Sequence, residues 1–520
     1  MKSILSSLFI CFLFVSVYAQ NQAPQIQNVQ AAFSLVNNRL TVVYDLNDAE
    51  NDSLEVRLLI SEDEGKSFRN VSKEAIGEVG FPLFEGSAKA IYWDSPQPIF
   101  WVNSRIKLVV DDRQPVDIQG IVDQVDSLRI RQDLTYFAQS RHRSNQLSFL
   151  RQIQDSLEGR FAELGLVIAK QEEMYQNYEA VNITGIQGGA DHPRRQYVVN
   201  AHYDGVPNTP GADDNMSGVV GFLEAARLLS PHPVSKGIRY VGFDLEEEGL
   251  IGSFAYVNSG GWGVEDTIDG AFNLEMIGYY DTAPNTQTFP AGFDQLFPTA
   301  YNASASDGFR GNFLANIANQ ASDPLRMAFD QAAAQYVPDL KVISLAVPGN
   351  GMIAPDLRRS DHASFWDAGI PALMLTDASE FRNPLYHTVN DTVGSLNMTF
   401  LARNVQATVA TLAELAGLLH GDQIVSEIDL QATNIPDLLV ECQPLTWHDP
   451  IQETIILQLA CPQRNAQLRL FDLAGQMVAE SAIPAFGERQ SLSVAGLAKG
   501  LYLIQLQSPE GRFVKKVLLQ

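Results

Sequence analysis

The strongest constraint on the fold is an alternation of short apolar runs with helical segments in the middle of the chain. The runs have the length and composition of buried strands, and the segments between them carry apolar residues at helical spacing. Strands are predicted at 196–201, 238–245, 271–277 and 370–375, and helices at 218–229, from 250 and at 404–419. This order predicts an α/β fold, with a three-layer arrangement in which a mostly parallel sheet has helices on both faces.

The flanking regions follow other patterns. Residues 20–114 alternate apolar and polar side chains at period two, which predicts a β-sandwich module of the fibronectin or immunoglobulin-like type. Helical spacing begins near residue 115, and a second domain is expected over 115–420. Residues 421–436 are predicted to form a linker, and 437–520 a second small all-β module. Several domains suit a chain of 520 residues.

The first residues have the layout of a cleavable signal peptide over 1–19. A lysine at position 2 precedes an apolar run over 8–17, and Val17-Tyr18-Ala19 resembles a cleavage site. The run is shorter than the about 20 residues that span a membrane, so we expect no transmembrane helix in the mature chain. The protein is therefore predicted to be secreted or attached to the cell surface.

Charge and cysteine content narrow the possible partners. The formal net charge is -25 without a long basic block, which excludes nucleic acid as an expected partner. Removal of the signal peptide leaves Cys442 and Cys461, whose pairing an exported compartment permits and the sequence leaves open. Any metal ion must then be bound by histidine and carboxylate side chains.

Such side chains follow the predicted strands. His202, the pair Glu246-Glu247 and Glu275 lie at three strand ends, and His387 follows a fourth. Ligands of open α/β sheets gather at the carboxyl ends of strands, so these groups are expected to converge. Imidazole and carboxylate bind zinc, and a pair of zinc ions needs a bridging carboxylate. An adjacent Glu-Glu pair can bind metal with one carboxylate and move a proton with the other.

The order of these motifs resembles the co-catalytic zinc exopeptidases of peptidase clan MH, which include bacterial leucyl aminopeptidase and aminopeptidase Y. Glutaminyl cyclases and glutamate carboxypeptidase are relatives of that family. The resemblance spans about 144–418 and depends on six motifs: His202-x-Asp204, Gly211-x-Asp213-Asp214-Asn215-x-Ser217-Gly218, Glu246-Glu247-x-Gly249-Leu250-x-Gly252-Ser253, Asn273-Leu-x-Met-Ile-Gly278, Ser360-Asp361-His362 and His387-Thr-x-x-Asp391-Thr392.

The resemblance implies a role for each matched position. Asp214 would bridge two zinc ions, with Glu247 and His387 on one ion and His202 and Glu275 on the other. Asp204 would orient His202, and Asp361 would support the site from behind the ligands. Glu246 would be the general base that takes a proton from the metal-activated water.

One position departs from the family pattern. The family usually carries Asp where this chain has Glu275, so the carboxylate lies one methylene further from the backbone. Two ions are expected, and a single-zinc site like that of the glutaminyl cyclases stays an alternative. The intact Asp213-Asp214-Asn215 loop favours two ions.

Two neighbouring motifs have more than one interpretation. Ser360-Asp361-His362 contains a serine and a base, but adjacent residues cannot readily form a nucleophilic relay, and Gly-x-Ser-x-Gly is absent from the sequence. It is interpreted as a wall of the site. Arg358 and Arg359 are candidate substrate-binding residues: an arginine in the crevice would favour carboxypeptidase-type reading of a C-terminal carboxylate, and its absence would favour an aminopeptidase.

The last module resembles a type A sorting domain of the type IX secretion system. The matching segments are His448-Asp449-Pro450, Leu470-Phe-Asp472-Leu-Ala-Gly475, Leu497-Ala-Lys499-Gly500-Leu-Tyr502 and Phe513-Val-Lys515-Lys516-Val517. The resemblance implies the type IX secretion machinery as a partner. A carbohydrate-binding β-module is the alternative.

Taken together, the sequence predicts a secreted zinc metallopeptidase that removes N-terminal residues from peptides. The alternatives are a carboxypeptidase-type exopeptidase, a single-zinc glutaminyl cyclase and a catalytically silent surface-binding protein on the same scaffold. Side-chain specificity and oligomeric state are left open at this point.

Overall fold

The computed structural model describes residues 21–34, 38–96, 104–263, 265–431, 445–458, 463–472, 476–486, 489–508 and 511–519. The predicted signal peptide, Cys442 and Cys461 lie outside these residues. Among the described helices, none has both the length and the apolar composition that crossing a membrane requires.

The N-terminal region consists of strands, as the period-two pattern predicts. Along the second strand, Leu40, Val42, Tyr44 and Leu46 are fully buried, and the residues between them are partly exposed. The strands are β1 (Gln25–Ser34), β2 (Arg39–Asn47), β3 (Leu54–Ser61), β4 (Arg69–Asn70), β5 (Ile76–Gly77), β6 (Gly80–Leu83), β7 (Gly86–Asp94) and β8 (Arg105–Asp111).

The central region alternates helices and strands. Its elements are α1 (Ile118–Val122), α2 (Ser127–Phe137), α3 (Leu147–Glu163), β9 (Val167–Tyr175), β10 (Tyr178–Gln187), β11 (His192–His202), α4 (Met216–Leu229), β12 (Lys236–Phe243), α5 (Ile251–Asn258), β13 (Thr267–Leu274), α6 (Phe293–Leu296), α7 (Pro298–Ala305), β14 (Leu314–Asn319), α8 (Asp323–Tyr336), β15 (Val342–Val347), α9 (His362–Asp367), β16 (Ala372–Thr376) and α10 (Met398–Ala416). The predicted α/β class is confirmed.

These eight strands form one sheet in the order β15-β14-β16-β13-β11-β12-β10-β9. The four central strands, β16, β13, β11 and β12, are mutually parallel. The next strand outward on each side, β14 and β10, is antiparallel to its inner neighbour. The carboxyl ends of the central strands therefore meet at one edge of the sheet.

Successive residues of a central strand enter different hydrophobic clusters. Val199 packs in the cluster that contains α2, α3, α4, α8 and α10, whereas Val198 packs with residues of α5, α6, α7 and α9. This alternation follows from the strand geometry, in which neighbouring side chains point to opposite faces. Helical segments therefore cover the sheet through two separate clusters.

The predicted linker at 421–436 is wrong over its first eleven residues. They form β17 (Gly421–Glu427), which pairs antiparallel with β8, and β18 (Asp429–Gln431), which pairs parallel with β1. Ile428 between them is 8% exposed in the core of the sandwich. The central α/β region is thus inserted between two strands of the N-terminal sandwich, whose pairing partners are too far apart in sequence for a local pattern to reveal.

The C-terminal region is a second all-β module. Its strands are β19 (Leu445–Asp449), β20 (Thr454–Gln458), β21 (Gln463–Phe471), β22 (Met477–Phe486), β23 (Arg489–Ser493), β24 (Gly500–Ser508) and β25 (Gly511–Leu519). They form a sheet in the order β19-β20-β23 and another in the order β22-β21-β24-β25. Residues of both sheets share one hydrophobic cluster.

Candidate metal centre

The predicted ligands lie at the shared edge of the central strands. His202 is the last residue of β11, Glu246 and Glu247 follow β12, and Glu275 follows β13 directly. His387 lies in the loop between β16 and α10. The strand ends bring together side chains that are up to 185 positions apart in sequence.

A short loop carries Asp214 to the same edge. Asn215 caps α4 by accepting a hydrogen bond from the backbone of Gly218, and it donates one to the Leu274 carbonyl at the end of β13. A Cβ atom on Gly218 would lie 2.3 Å from that carbonyl oxygen, so only glycine permits this close approach. The helix start therefore holds the loop against the strand that leads to Glu275.

The five predicted ligands form two groups that share Asp214. In the first group, His202 Nε2 lies 3.3 Å from Asp214 Oδ1 and 3.5 Å from Glu275 Oε2. In the second, His387 Nε2 lies 2.9 Å from Asp214 Oδ2 and 3.4 Å from Glu247 Oε2. Within each group, the possible ligand atoms all lie within 4.8 Å of one another. Asp214 thus directs one oxygen to each group, as a bridging carboxylate does.

Unsatisfied polar atoms indicate that the site is built for cations. His202 Nε2, Asp214 Oδ1 and Glu247 Oε1 are buried and have no hydrogen-bond partner. Buried polar atoms in proteins are mostly paired, and these three belong to the two ligand groups, where a bound cation would partner them. Nitrogen and carboxylate oxygen are ligands that zinc accepts, so the residues present fit zinc.

The electrostatics of the predicted ligands also favour a cation. Burial works to lower the pKa of His387, but hydrogen bonding to Asp214 and Glu247 outweighs it and raises that pKa to about 10. Burial also raises the pKa of Glu247 to about 7, with Asp214 adding to the rise. Protons on these groups therefore supply the positive charge that bound cations would supply instead.

Asp204 contacts both His202 and the Glu246-Glu247 pair. Its Oδ1 lies 3.2 Å from His202 Nδ1, which leaves Nε2 of that imidazole free for a metal ion. The same carboxylate accepts hydrogen bonds from the backbone N–H groups of Glu246 and Glu247 at 3.1 and 3.2 Å. One buried side chain thereby aligns two strand ends.

Glu246 lies beside the two ligand groups. Its Oε2 is 3.9 Å from His202 Nε2, and the residue is 9% exposed. Burial raises the pKa of Glu246 well above its ordinary value, and the neighbouring Glu275 and Glu247 carboxylates add to this shift. The position suits a group that exchanges a proton with a substrate in the crevice.

Several supporting residues were not among the predicted site residues. Asp391 is 1% exposed and accepts hydrogen bonds from the backbone N–H groups of Asp213 and Asp214 at 2.9 and 3.1 Å. Tyr386 stacks on the imidazole of His387 with ring centroids 3.8 Å apart. Asp391 lies within the matched motif that begins at His387, which is the signal that could have identified it.

The Glu275 carboxylate is held by two donors. Asn215 Nδ2 and Ser360 Oγ donate to Glu275 Oε2 at 3.0 and 2.8 Å. The Ser360 hydroxyl is therefore engaged with a predicted ligand. His362 lies elsewhere, with Nε2 3.0 Å from the carbonyl of Leu357. The interpretation of this segment as a wall of the site stays a prediction.

The remaining predicted residues are placed as follows. Asp361 is fully buried and neither carboxylate oxygen has a hydrogen-bond partner. Arg358 forms an ion pair with Asp367 at 2.6 Å, and Arg359 forms one with Glu380. Both guanidinium groups therefore already have a carboxylate partner.

Comparison with known proteins relates this geometry to a family. Residues 182–412 match the model of peptidase family M28, and residues 448–520 match that of the secretion system C-terminal sorting domain. The sorting domain directs the chain to export, as a secreted or surface-attached protein, and implies an interaction with the type IX secretion system. The two matches cover separate parts of the chain.

Individual proteins are also similar to this chain. The chain is similar to the uncharacterized protein YfbL of Escherichia coli (strain K12), with 33% identity over 48% of this chain and 76% of that protein. It is similar to aminopeptidase YwaD of Bacillus subtilis (strain 168), with 29% identity over 46% of each chain. It also resembles a "Probable zinc metalloprotease" of Pyrenophora teres f. teres, with 27% identity over 45% of this chain and 51% of that protein.

The chain spans about half the length of the latter two relatives. The segment that matches the family contains all five predicted ligands. The family match and the similarity to YfbL and to aminopeptidase YwaD show that the chain belongs to peptidase family M28, as a zinc metallopeptidase followed by a secretion sorting domain.

Proposed function

We propose that this chain is an exported aminopeptidase that binds two zinc ions and uses Glu246 as its general base. One observation carries the proposal: the two ligand groups meet on opposite oxygens of Asp214. A single ion would leave one of these groups without a cation. Two ions would satisfy the three orphaned atoms of His202, Asp214 and Glu247.

The zinc ions and Glu246 would have separate roles in the reaction. When bound, the zinc ions would polarise the scissile carbonyl and lower the pKa of the attacking water. Glu246 accepts one proton from that water as oxygen attacks the carbonyl carbon. Glu246 then donates the proton to the leaving nitrogen as the C–N bond breaks, which returns the carboxylate to its starting state.

The charge of the site supports a substrate with a free amino terminus. Two divalent ions would bring four positive charges to six carboxylates, the buried ones of Asp204, Asp214, Glu246, Glu275 and Asp361 and the partly exposed one of Glu247. The remaining negative charge favours an α-ammonium group over a carboxylate. Arg358 and Arg359, which would suit a C-terminal carboxylate, are each paired with an acid. These contacts favour an aminopeptidase over a carboxypeptidase.

A panel of substrates tests the proposal. Purified full-length protein would be assayed on a leucyl anilide, its N-acetyl derivative, a peptide with an N-terminal glutamine and a peptide with a blocked amino terminus. We expect hydrolysis of the substrates with a free amino terminus and not of the N-acetyl or blocked ones, loss of activity after chelation, and recovery when zinc is returned.

Other outcomes would select other functions. Cyclisation of the glutaminyl peptide without hydrolysis of the anilide would indicate a glutaminyl cyclase, and release of C-terminal residues from the blocked peptide would indicate a carboxypeptidase. No turnover of any substrate by zinc-loaded protein would indicate a silent surface protein. Full activity after complete removal of zinc would contradict the metal centre itself.

A further inference from the structure

Arg141 lies behind the metal centre and outside the segment that matches the family model. It belongs to the connection between α2 and α3 and is 0% exposed. The matched segment begins only at residue 182. A charged side chain is costly to bury unless its donors are all engaged, so its partners show what it stabilises.

The guanidinium group binds backbone carbonyls of the loop that carries the bridging ligand. It donates to the carbonyl oxygens of Tyr203, Pro210, Gly211 and Asp214 at 2.8, 2.6, 3.1 and 2.8 Å. A fifth acceptor is the Gln139 carbonyl at 3.3 Å. Four of these five acceptors belong to residues 203–214, the segment between His202 and the start of α4. One side chain therefore fixes both ends of that loop.

The loop in turn is shaped to admit the guanidinium group. Gly211 has a φ of +57°, and a Cβ atom there would lie 2.6 Å from Arg141 Nη2 and 2.2 Å from the carbonyl oxygen of Asp214. Glycine is therefore required for both the backbone conformation and the close approach. Lysine cannot replace the arginine, because a single ammonium group lacks the planar fork that reaches several carbonyls at once.

Arg141 also acts on the charge of the bridge. Its partners are neutral carbonyls, so its positive charge is not cancelled by a direct ion pair in these hydrogen bonds. Burial lowers the pKa of Arg141, and the nearby Asp214 and Asp204 carboxylates oppose that shift. The cation thus lies where it offsets part of the negative charge around the bridge.

We propose that Arg141 is a positioning residue for the metal centre, which holds the 203–214 loop so that Asp214 presents one oxygen to each ligand group. The inference rests on the proposed function for the identity of the ions. It does not require that the protein hydrolyse peptides, because its effect is on metal binding.

The test compares two arginine-to-lysine variants of the full chain. Arg141→Lys removes the fork behind the bridge. Arg239→Lys is the matched control, since Arg239 is 2% exposed, lies in β12 of the same sheet, and binds Gln196 and the Gly261 carbonyl rather than the ligand loop. Zinc dissociation constants would be measured by competition with a chromophoric chelator, and thermal unfolding of both metal-free variants would be recorded in parallel.

We expect Arg141→Lys to weaken zinc binding by about 10- to 100-fold, the usual effect of losing a group that orients a ligand, and Arg239→Lys to leave zinc binding within about threefold of wild type. Both variants should lower the unfolding temperature, so stability alone does not separate them. Wild-type zinc affinity in folded Arg141→Lys protein, or equal weakening in both variants, would overturn the inference.

A second variant covers the case in which Arg141→Lys does not fold. Gly211→Ala disturbs the same contact from the side of the loop, and it should weaken zinc binding in the same range. Unchanged affinity in folded Gly211→Ala protein would also overturn the inference. Wild-type protein that binds zinc but hydrolyses no substrate would instead refute the proposed function, and the zinc affinities would still decide the role of Arg141.

Discussion

The metal centre and the N-terminal sandwich bury charge in opposite ways. At the centre, carboxylates outnumber the cationic side chains, and buried polar atoms of His202, Asp214, Glu247 and Asp361 have no hydrogen-bond partner. At the side of the sandwich that faces the α/β region, Arg57 forms ion pairs with Asp111 at 3.5 Å and with Asp191 at 2.5 Å, although its Nη1 atom has no hydrogen-bond partner. Asp112 accepts a hydrogen bond from His420 at 2.8 Å. Buried charge is thus compensated inside the protein in one region and left for external cations in the other.

This difference separates structural from functional charge. A paired buried charge contributes to how two regions fit together, and removal of either partner leaves the other unpaired. An uncompensated cluster is costly to the fold, and it is stable only if protons or metal ions supply the missing charge. Lys107 is an intermediate case in the sandwich, because it is 3% exposed and donates only to the Gly188 carbonyl among the hydrogen bonds described.

The largest expected effect is on catalysis at the uncompensated cluster. Glu246→Gln should lower kcat by about 10²- to 10⁴-fold, the usual contribution of a general base, while zinc content stays close to two ions. Glu248→Gln is the matched control. Glu248, like Glu246, is adjacent to Glu247 in sequence, but it pairs with Arg143 at 2.9 Å. Steady-state kinetics with metal analysis measures both. Equal activity of Glu246→Gln and wild type would contradict the role of Glu246 as general base.

The second effect tests the sandwich as a unit closed by distant strands. A chain ending at residue 420 lacks β17 and β18 and therefore the Ile424 and Ile428 side chains of the sandwich core. Their loss should destabilise the sandwich by about 3 kcal/mol or more, whereas a chain ending at residue 436 keeps both strands. Hydrogen exchange of the β8 amides reports the difference. Equal protection in the two chains would show that the returning strands are dispensable.

The third effect tests whether backbone support matters as much as the ligands themselves. Asp391→Asn keeps one acceptor but cannot receive both the Asp213 and Asp214 N–H groups with carboxylate oxygens. We expect zinc binding about 10- to 100-fold weaker, with the unfolding temperature of the metal-free protein little changed. Competition with a chelator measures the affinity. A drop in thermal stability without any loss of zinc affinity would show that Asp391 stabilises the fold and does not support metal binding.

The last effect, which is spread over several pH units, concerns the sandwich cation Lys107. Burial lowers its pKa from 10.5 to about 7, so between these values the unfolded chain binds a proton that the folded protein does not. Stability should therefore rise with pH across this window, by at most about 1.4 kcal/mol per pH unit for one proton, and the penalty is fully present below pH 7. Denaturant unfolding of wild type and Lys107→Met at pH 6.5 to 9.5 tests this. The advantage of Lys107→Met should shrink as pH rises, and a constant difference would contradict the assignment.

Much of the central fold could be predicted, because its strands are continuous apolar runs. The predicted strands at 196–201 and 370–375 overlap β11 and β16, and the predicted helix at 218–229 overlaps α4. Strands β9, β10, β14 and β15 were not predicted. β9 has a mixed burial pattern and lies at the edge of the sheet, and β14 is six residues long, so neither carries a long periodic signal. The local sequence pattern also did not indicate that β10 and β14 run antiparallel to their inner neighbours.

The sequence by itself determined the α/β class, the order of the ligand-bearing strand ends and the candidate ligands, since apolar periodicity and residue chemistry are local properties. Only the tertiary structure decided that β17 and β18 return to the sandwich, that Asp391 supports the bridge, and that Arg141 binds the ligand loop. These contacts join groups between 62 and 397 positions apart. Such pairings depend on how the whole chain packs, and no sequence window contains both partners.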